Sequence, residues 1–221
     1  MSGSGASGRV VTKQSRSENT RLHLVRSAAE LFDRNGFSGA TLEDVSRAAG
    51  VTKGAFYFHF SSKDELAGAI QAEACTLLRN AVHRVLEDRL PVLQSLVDLT
   101  HELARWLEHE PVVRASLRTA RECGHRGAPF LDFYVDLLSA VETMLISAEQ
   151  AGDLGGGVAI EQASTLVLTI CAGVEMLWWS GIRHGDIREN VREMWKLILP
   201  GLVAHDDLAR IDPGGPSRPD G

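Results

Sequence analysis

Cysteine is scarce in this chain, and Cys75, Cys123 and Cys171 stand far apart, so a disulfide framework is not expected. Metal-ligand spacing is missing too. His101, His109, His125, His184 and His205 are scattered, and Glu108-His109-Glu110 is a local run without partners. No apolar run is expected to approach the length of a membrane span. The opening stretch, Met1 to Gly8, is rich in glycine and serine and has no apolar signal core. Catalytic constellations are also lacking, with no Ser/His/Asp arrangement and no Glu-X-X-His pair. Gly155-Gly-Gly157 has no following lysine to make a phosphate-cradling loop. These absences argue against an enzyme, a metal site and a cofactor. The net charge of −6 argues against a basic coat for nucleic acid.

That charge is unevenly spread. Arg9 to Leu66 carries nine basic and seven acidic residues, and the remainder carries 14 basic against 22 acidic. A mildly basic N-terminal domain on an acidic body suits a protein that touches DNA at one end. Within the basic part, Thr41 to Phe60 reads as two short helices around a tight turn. Leu42, Val45 and Ala49 form one buried stripe, Thr41 is a good N-cap, and Asp44 stands where a capping-box acid belongs. Gly50 supplies a turn in which positive φ is cheap. Thr52 then caps a helix bearing Lys53, Gly54, Ala55, Tyr57, Phe58 and His59. Gly54 and Ala55 suit a backbone that must approach base edges closely, and Thr52 and Lys53 suit phosphate. This is helix-turn-helix grammar, in which the second helix enters the major groove. Phe56 and Phe60 are expected in the small domain's core, and Phe58 is open between core and surface.

The rest reads as helix throughout. A helix is expected from about Glu18 to Asn35, closed by a left-handed cap at Asn35-Gly36. Ser62 opens a long helix with Glu65 in a capping box, continuing to about Arg89. Pro91 and Pro111 open further helices, Phe130 to Ala151 and Ala159 to Gly185 form two more, and Asp186 caps the last. The expected boundaries are a flexible basic arm over 1–16, a DNA-binding domain over 17–66, a helical body over 67–205, and a disordered tail over 206–221. Among the tryptophans, Trp106, Trp178, Trp179 and Trp195 all fall in the body. Trp178 and Trp179 point about 100° apart on a helix, so one can face a pocket while the other faces a helix partner.

The run Val51-Thr-Lys-Gly-Ala-Phe-Tyr-Phe-His-Phe-Ser-Ser-Lys-Asp-Glu-Leu66, with Ala28 to Thr41 before it, resembles the signature of the TetR family of transcriptional repressors. Pro111-Val-Val-Arg-Ala-Ser-Leu-Arg118 and Glu193 to Leu202 are similar to the γ-butyrolactone receptors within that family. The resemblance implies an all-α fold of about nine helices, with a three-helix DNA-binding domain ahead of a helical ligand-binding and dimerisation domain. It implies a cytoplasmic repressor whose homodimer pairs through its last two helices, binds an inverted-repeat DNA operator and is released by a small apolar inducer. Lactones, butenolides and furans are the implied ligands, and antibiotic or secondary-metabolite genes the implied targets. A TetR-type regulator with no ligand response, or with an unrelated ligand such as a drug or antibiotic intermediate, is the alternative. DNA contacts are expected at Arg21, Thr41, Thr52, Lys53, Gly54, Ala55, Tyr57, Phe58, His59 and Lys63. Ligand contacts are expected at Leu103, Trp106, Leu117, Phe130, Phe133, Tyr134, Leu137, Thr169, Val174 and Trp178. The receptors carry a tryptophan over the ligand where this chain has Phe133, which keeps an apolar wall but loses an N–H donor. Arg114 and Arg118 show no catalytic pairing and fit a structural role equally well.

Overall fold

A computed structural model describes residues 7–87, 91–182, 185–203 and 205–216. Among these there are nine α-helices and no extended strand. The chain divides into two compact units, residues 1–74 with 111–131, and residues 75–110 with 132–221.

The first unit holds α1 (Ser7–Gly39), α2 (Leu42–Ala48), α3 (Lys53–His59), the opening part of α4 (Lys63–Glu87) and α6 (Pro111–Cys123). Leu24, Val25, Ala28, Ala29 and Phe32 of α1 are buried, as are Val45, Phe56, Phe60, Leu66 and Ile70, and α1 packs against α2. The expected local signals are present. Thr41 and Asp44 form a reciprocal capping box, Gly50 has φ +62°, and Thr52 Oγ1 accepts from the Ala55 N–H at 3.2 Å. At α4 the box is displaced by one residue. Ser62 caps the Glu65 N–H, but the Glu65 carboxylate takes both the N–H and the hydroxyl of Ser61, at 2.7 Å each.

Three boundaries differ from expectation. Helix α1 starts at Ser7, not near Glu18, so most of the expected flexible arm is helical. Adding turns to an existing helix avoids a new nucleation cost, which favours this extension. The expected cap at Gly36 is a kink, with φ 77° and ψ 165°, and helical hydrogen bonding resumes to Gly39. The unit boundary also falls inside α4, after Ala74, and the unit takes in α6 from far along the chain. The cause is polar as well as apolar. Arg114 Nε donates to Asp33 at 2.8 Å, and Arg118 Nη1 donates to the Asp33 and Arg34 carbonyls at 2.5 and 3.1 Å. Those carbonyls lie near the end of α1's regular part, where a cation is favoured. Glu122 accepts from Arg118 and from the Ser38 N–H. A Cβ on Gly36 would meet the Glu122 carboxylate, and φ of 77° favours glycine at this corner. Deeper in, the fully buried Gln71 donates to the carbonyls of Ser116 and Phe130 and accepts from the Ser116 hydroxyl.

In the second unit, the remainder of α4 is joined by α5 (Val92–His109), α7 (Asp132–Ala151), α8 (Ile160–Ser180) and α9 (Ile187–Leu202). Helix α5 is central, packed by α7, α8 and α9 and buried on nearly every face. Trp106 and Trp195 are core residues, and Trp195 Nε1 donates to Thr100 Oγ1 at 2.6 Å. Asp186 caps α9 through the Arg188 N–H rather than by a box with Glu189. Helix α7 begins at Asp132, two residues later than expected. Contrary to the sequence expectation, α8 is long and apolar enough, at 21 residues, to cross a membrane by length and composition alone. It packs against α7 and α9, and carries the buried Glu175 within its apolar stretch. The expected tail also differs. Residues 205–210 form a 3-10 turn, and Ile211 is buried.

Candidate nucleic-acid interface

Helix α3 divides sharply into two faces. Phe56 is fully buried, and Phe60 just beyond the helix is 1% exposed. Thr52, Lys53 and Gly54 are exposed, as are Tyr57 and Phe58, while Ala55 and His59 are half-buried. Phe58 is 79% exposed, which settles its open placement in favour of the surface. A large aromatic left in water on a helix otherwise well anchored is suited to meet something outside the chain. Gly54 has the same implication. It lies in α3, yet a Cβ there would meet nothing within 4 Å, so no neighbour inside the protein requires glycine.

The flanking cations differ in presentation. Lys53 is exposed at the N-terminal end of α3. Arg21 is exposed on α1, with its guanidinium 5.0 Å from the centre of the Phe60 ring. Thr41 is exposed, but its hydroxyl is engaged with Asp44 at 2.6 Å. That bond holds the Asp44 carboxyl below its ordinary range. Lys63 departs from expectation. It is half-buried, with Nζ 4.5 Å from the Phe37 ring centre and 5.8 Å from that of Phe32. Burial pulls its pKa down, partly opposed by Glu122 and Asp64 nearby. Its aliphatic stem thus lies along aromatic surface. Sequence reasoning gave Arg118 a structural role as one reading but missed the partners around it, namely Glu122 and the buried Gln71. The Pro111 to Arg118 block carried the only signal, since hydrogen bonding across some 80 residues has no sequence period.

The ten expected ligand residues are divided between the two units. Leu117 and Phe130 are buried in the first unit. Leu103, Trp106, Phe133, Leu137 and Val174 are buried in the second, and Tyr134 is half-buried. Thr169 is exposed and its hydroxyl bonds back to the Thr165 carbonyl at 2.7 Å, so it does not reach an interior cavity. Val174 and Trp178 line a cavity of about 230 Å³ between α8 and α9, with Leu177, Ile187, Met194 and Leu197. A larger groove of about 490 Å³ runs between α4 and α7 within the second unit. Leu78, Val82, Leu86 and Met144 give it an apolar lining, and Arg79 pairs with Asp136 at one side, at 3.0 Å. Cys75, beside that pair, is held as a thiol, its pKa pushed up to about 12 by burial and by Asp136. Burial does the same to Cys171, also to about 12.

A capped helix-turn-helix with one exposed reading face, on an all-α chain, defines a DNA-binding regulator. Residues 24–70 match the bacterial regulatory proteins of the tetR family. The A-factor receptor protein of Streptomyces griseus is 31% identical over 93% of this chain and 71% of its own length. The chain belongs to the TetR family of transcriptional regulators, and within it resembles the γ-butyrolactone receptors. Solved structures agree. A γ-butyrolactone receptor, an ArpA-like protein, superposes with a TM-score of 0.74 at 28% identity, over 88% of this chain and 94% of that one. CprB of Streptomyces coelicolor, in complex with its operator sequence, gives 0.70 at 29% identity, over 88% and 94%. These relatives are regulators, not enzymes.

Proposed function

We propose that this protein is a ligand-released repressor that binds an inverted-repeat operator as a homodimer. The exposed face of α3, with Gly54 unexplained by any internal neighbour, carries this reading. Two such helices would enter successive major grooves about 34–36 Å apart. Thr52, Lys53, Gly54, Ala55, Tyr57, Phe58 and His59 would meet the DNA, with Arg21 and Thr41 at its margin. Dimerisation through α8 and α9 is supported by their exposed apolar side chains. Leu166, Met176, Leu177 and Trp179 face solvent on α8, and Leu197 on α9 is 83% exposed. Such a patch on one chain marks an interaction surface. A repressor acting on DNA would work in the cytoplasm.

The inducer class is a small apolar signal of the γ-butyrolactone, butenolide or furan type, and the targets are antibiotic or secondary-metabolite genes. Likeness to the A-factor receptor protein supports this. So does the α4–α7 groove, whose volume lies in the range of ligand sites and whose wall includes the second half of α4. A ligand that prefers the DNA-incompetent state by about 1–3 kcal/mol would suffice for release. A second reading, a regulator with another ligand or none, is favoured by one observation. Phe133 is 1% exposed and lines neither the α8–α9 cavity nor the α4–α7 groove. Operator binding to the DNA upstream of the protein's own gene, with and without a panel of lactones, butenolides and alkylfurans, separates the two. Release by one compound supports the receptor. Tight binding that none disrupts supports the second reading, and no binding to any inverted repeat would sink both.

A further inference from the structure

Helix α5 carries Gln94, Asp98 and His101 at i, i+4 and i+7, a polar stripe on one face. All three are buried, at 7, 4 and 4% exposure. A buried polar stripe needs hydrogen-bonding partners, and the last part of the chain supplies them. After the 3-10 turn His205–Arg210, the chain runs along α5 and buries Ile211. The Asp212 N–H donates to Gln94 Oε1 at 2.7 Å, and the Asp212 carbonyl accepts from Gln94 Nε2 at 3.1 Å. One side-chain amide thus reads both main-chain groups of a single residue. Gln94 Nε2 also donates to Asp98 at 2.8 Å. His101 Nε2 lies 2.9 Å from the Pro213 carbonyl, and since a carbonyl only accepts, this nitrogen carries hydrogen.

The contact is close as well as polar. Gly215 has φ +73°, and a Cβ there would fall 2.5 Å from the His101 ring. Main chain therefore lies directly on the imidazole, which glycine alone permits. The Gly214 N–H donates to the Asp212 carboxylate at 2.8 Å and the Gly215 N–H to the Asp212 carbonyl at 3.3 Å, closing a turn over the ring. Arg192 of α9 flanks Gly214, so the segment touches both α5 and α9.

We propose that residues 205–216 form a pH-sensitive strap, closed over α5 while His101 is neutral and released as His101 gains a proton. The charged groups facing the ring are Asp98 on α5, Asp212 on the strap and Arg188 on α9. Burial dominates and lowers the His101 pKa below 6.5. The Pro213 carbonyl and the two carboxylates oppose that shift, and Arg188 adds to it. A lowered histidine pKa means the open state binds the extra proton more readily. Closure is therefore fully favoured above about pH 6.5, weakens as pH falls towards the lower value, and levels off beneath it. Through Trp195–Thr100 and the strap, α5 is tied to α9 twice, and acid weakens one of the two ties.

Hydrogen exchange on the full chain, corrected for intrinsic rates, tests this at about pH 7.5 and about pH 5.5. The Asp212, Gly214 and Gly215 amides should lose protection several-fold at the lower pH. His101→Gln keeps an N–H donor for Pro213 but cannot titrate, so it should abolish the pH dependence. Gly215→Ala should expose the same amides at both pH values, because φ +73° and the His101 ring leave no room for its Cβ. Equal protection at both pH values, pH dependence surviving in His101→Gln, or full protection in Gly215→Ala would each overturn the strap.

Discussion

Replacing Gly54 by Ala should move stability and DNA binding in opposite directions. Gly54 has an ordinary negative-φ helical setting within α3 and open space around its missing Cβ. Alanine is compatible with that backbone and narrows the unfolded ensemble, so the free protein should gain about 0.4–1 kcal/mol. Urea titration would read this as a higher midpoint at unchanged slope. On DNA the methyl stands about 1.5 Å out from the main chain, on the face proposed to meet base edges or phosphate. Moving the backbone back by that distance takes hydrogen bonds of about 2.9 Å beyond useful length. Losing one such contact is worth about 1–3 kcal/mol, so operator affinity should fall about 5- to 150-fold. Fluorescence anisotropy with a labelled operator duplex, at one fixed salt concentration, gives that number. If Gly54→Ala is stabilised and still binds with the parent affinity, the α3 face does not approach DNA closely, and the orientation argued here is wrong.

Other perturbations follow the same logic. Lys53→Ala should weaken binding to all duplexes alike and reduce the slope of log affinity against log salt by about 0.9, measured by anisotropy across a salt series. Gly36→Ala should destabilise the first unit by about 1–3 kcal/mol, because φ 77° strains alanine and its Cβ meets Glu122. Pairing it with Glu122→Ala should recover part of that loss in denaturant titration, the strain at φ remaining. Glu102 is largely buried, which would raise its pKa, yet Arg105 and Arg84, at 2.8 and 3.0 Å, together hold it below 4.5. Its stabilisation is therefore complete above about pH 4.5 and lost as pH falls through the lower folded value. Glu102→Gln should flatten the acid limb of the thermal-stability profile over that range.

Much of the first unit was legible because its determinants are local. Thr41, Asp44, Gly50 and Thr52 act over one helical turn, and the buried stripe of α2 follows a fixed period. The α4 box slipped by one residue because Ser61 and Ser62 are adjacent and equally able to bond Glu65. The stop at the end of α1's regular part was legible too, since Gly36 has positive φ there, although its ψ of 165° makes a kink rather than a left-handed cap. Asn35-Gly36 is the ordinary stop signal, but Arg118 and Glu122 from α6 shape that corner, and no local pattern announces them. Thr169, expected among the ligand contacts, is exposed, and because α8 is apolar nearly all round its period does not say which side faces the interior. The tail was expected to be loose from its glycine, proline and charge. The stripe Gln94, Asp98 and His101 that holds it looks, in sequence, like an exposed helix face.

Sequence by itself determined the all-α class, the helix-turn-helix and its reading face, since caps, turns and one-turn spacings encode them within a few residues. Tertiary structure decided where the units divide, that α6 belongs with the DNA-reading helices, that Lys63 lies on phenylalanine, and that Asp212 to Gly215 lie against α5. Each of those rests on hydrogen bonds or packing between residues tens of positions apart. Such contacts form only once the helices have been brought together, and composition or periodicity along a single helix cannot specify them.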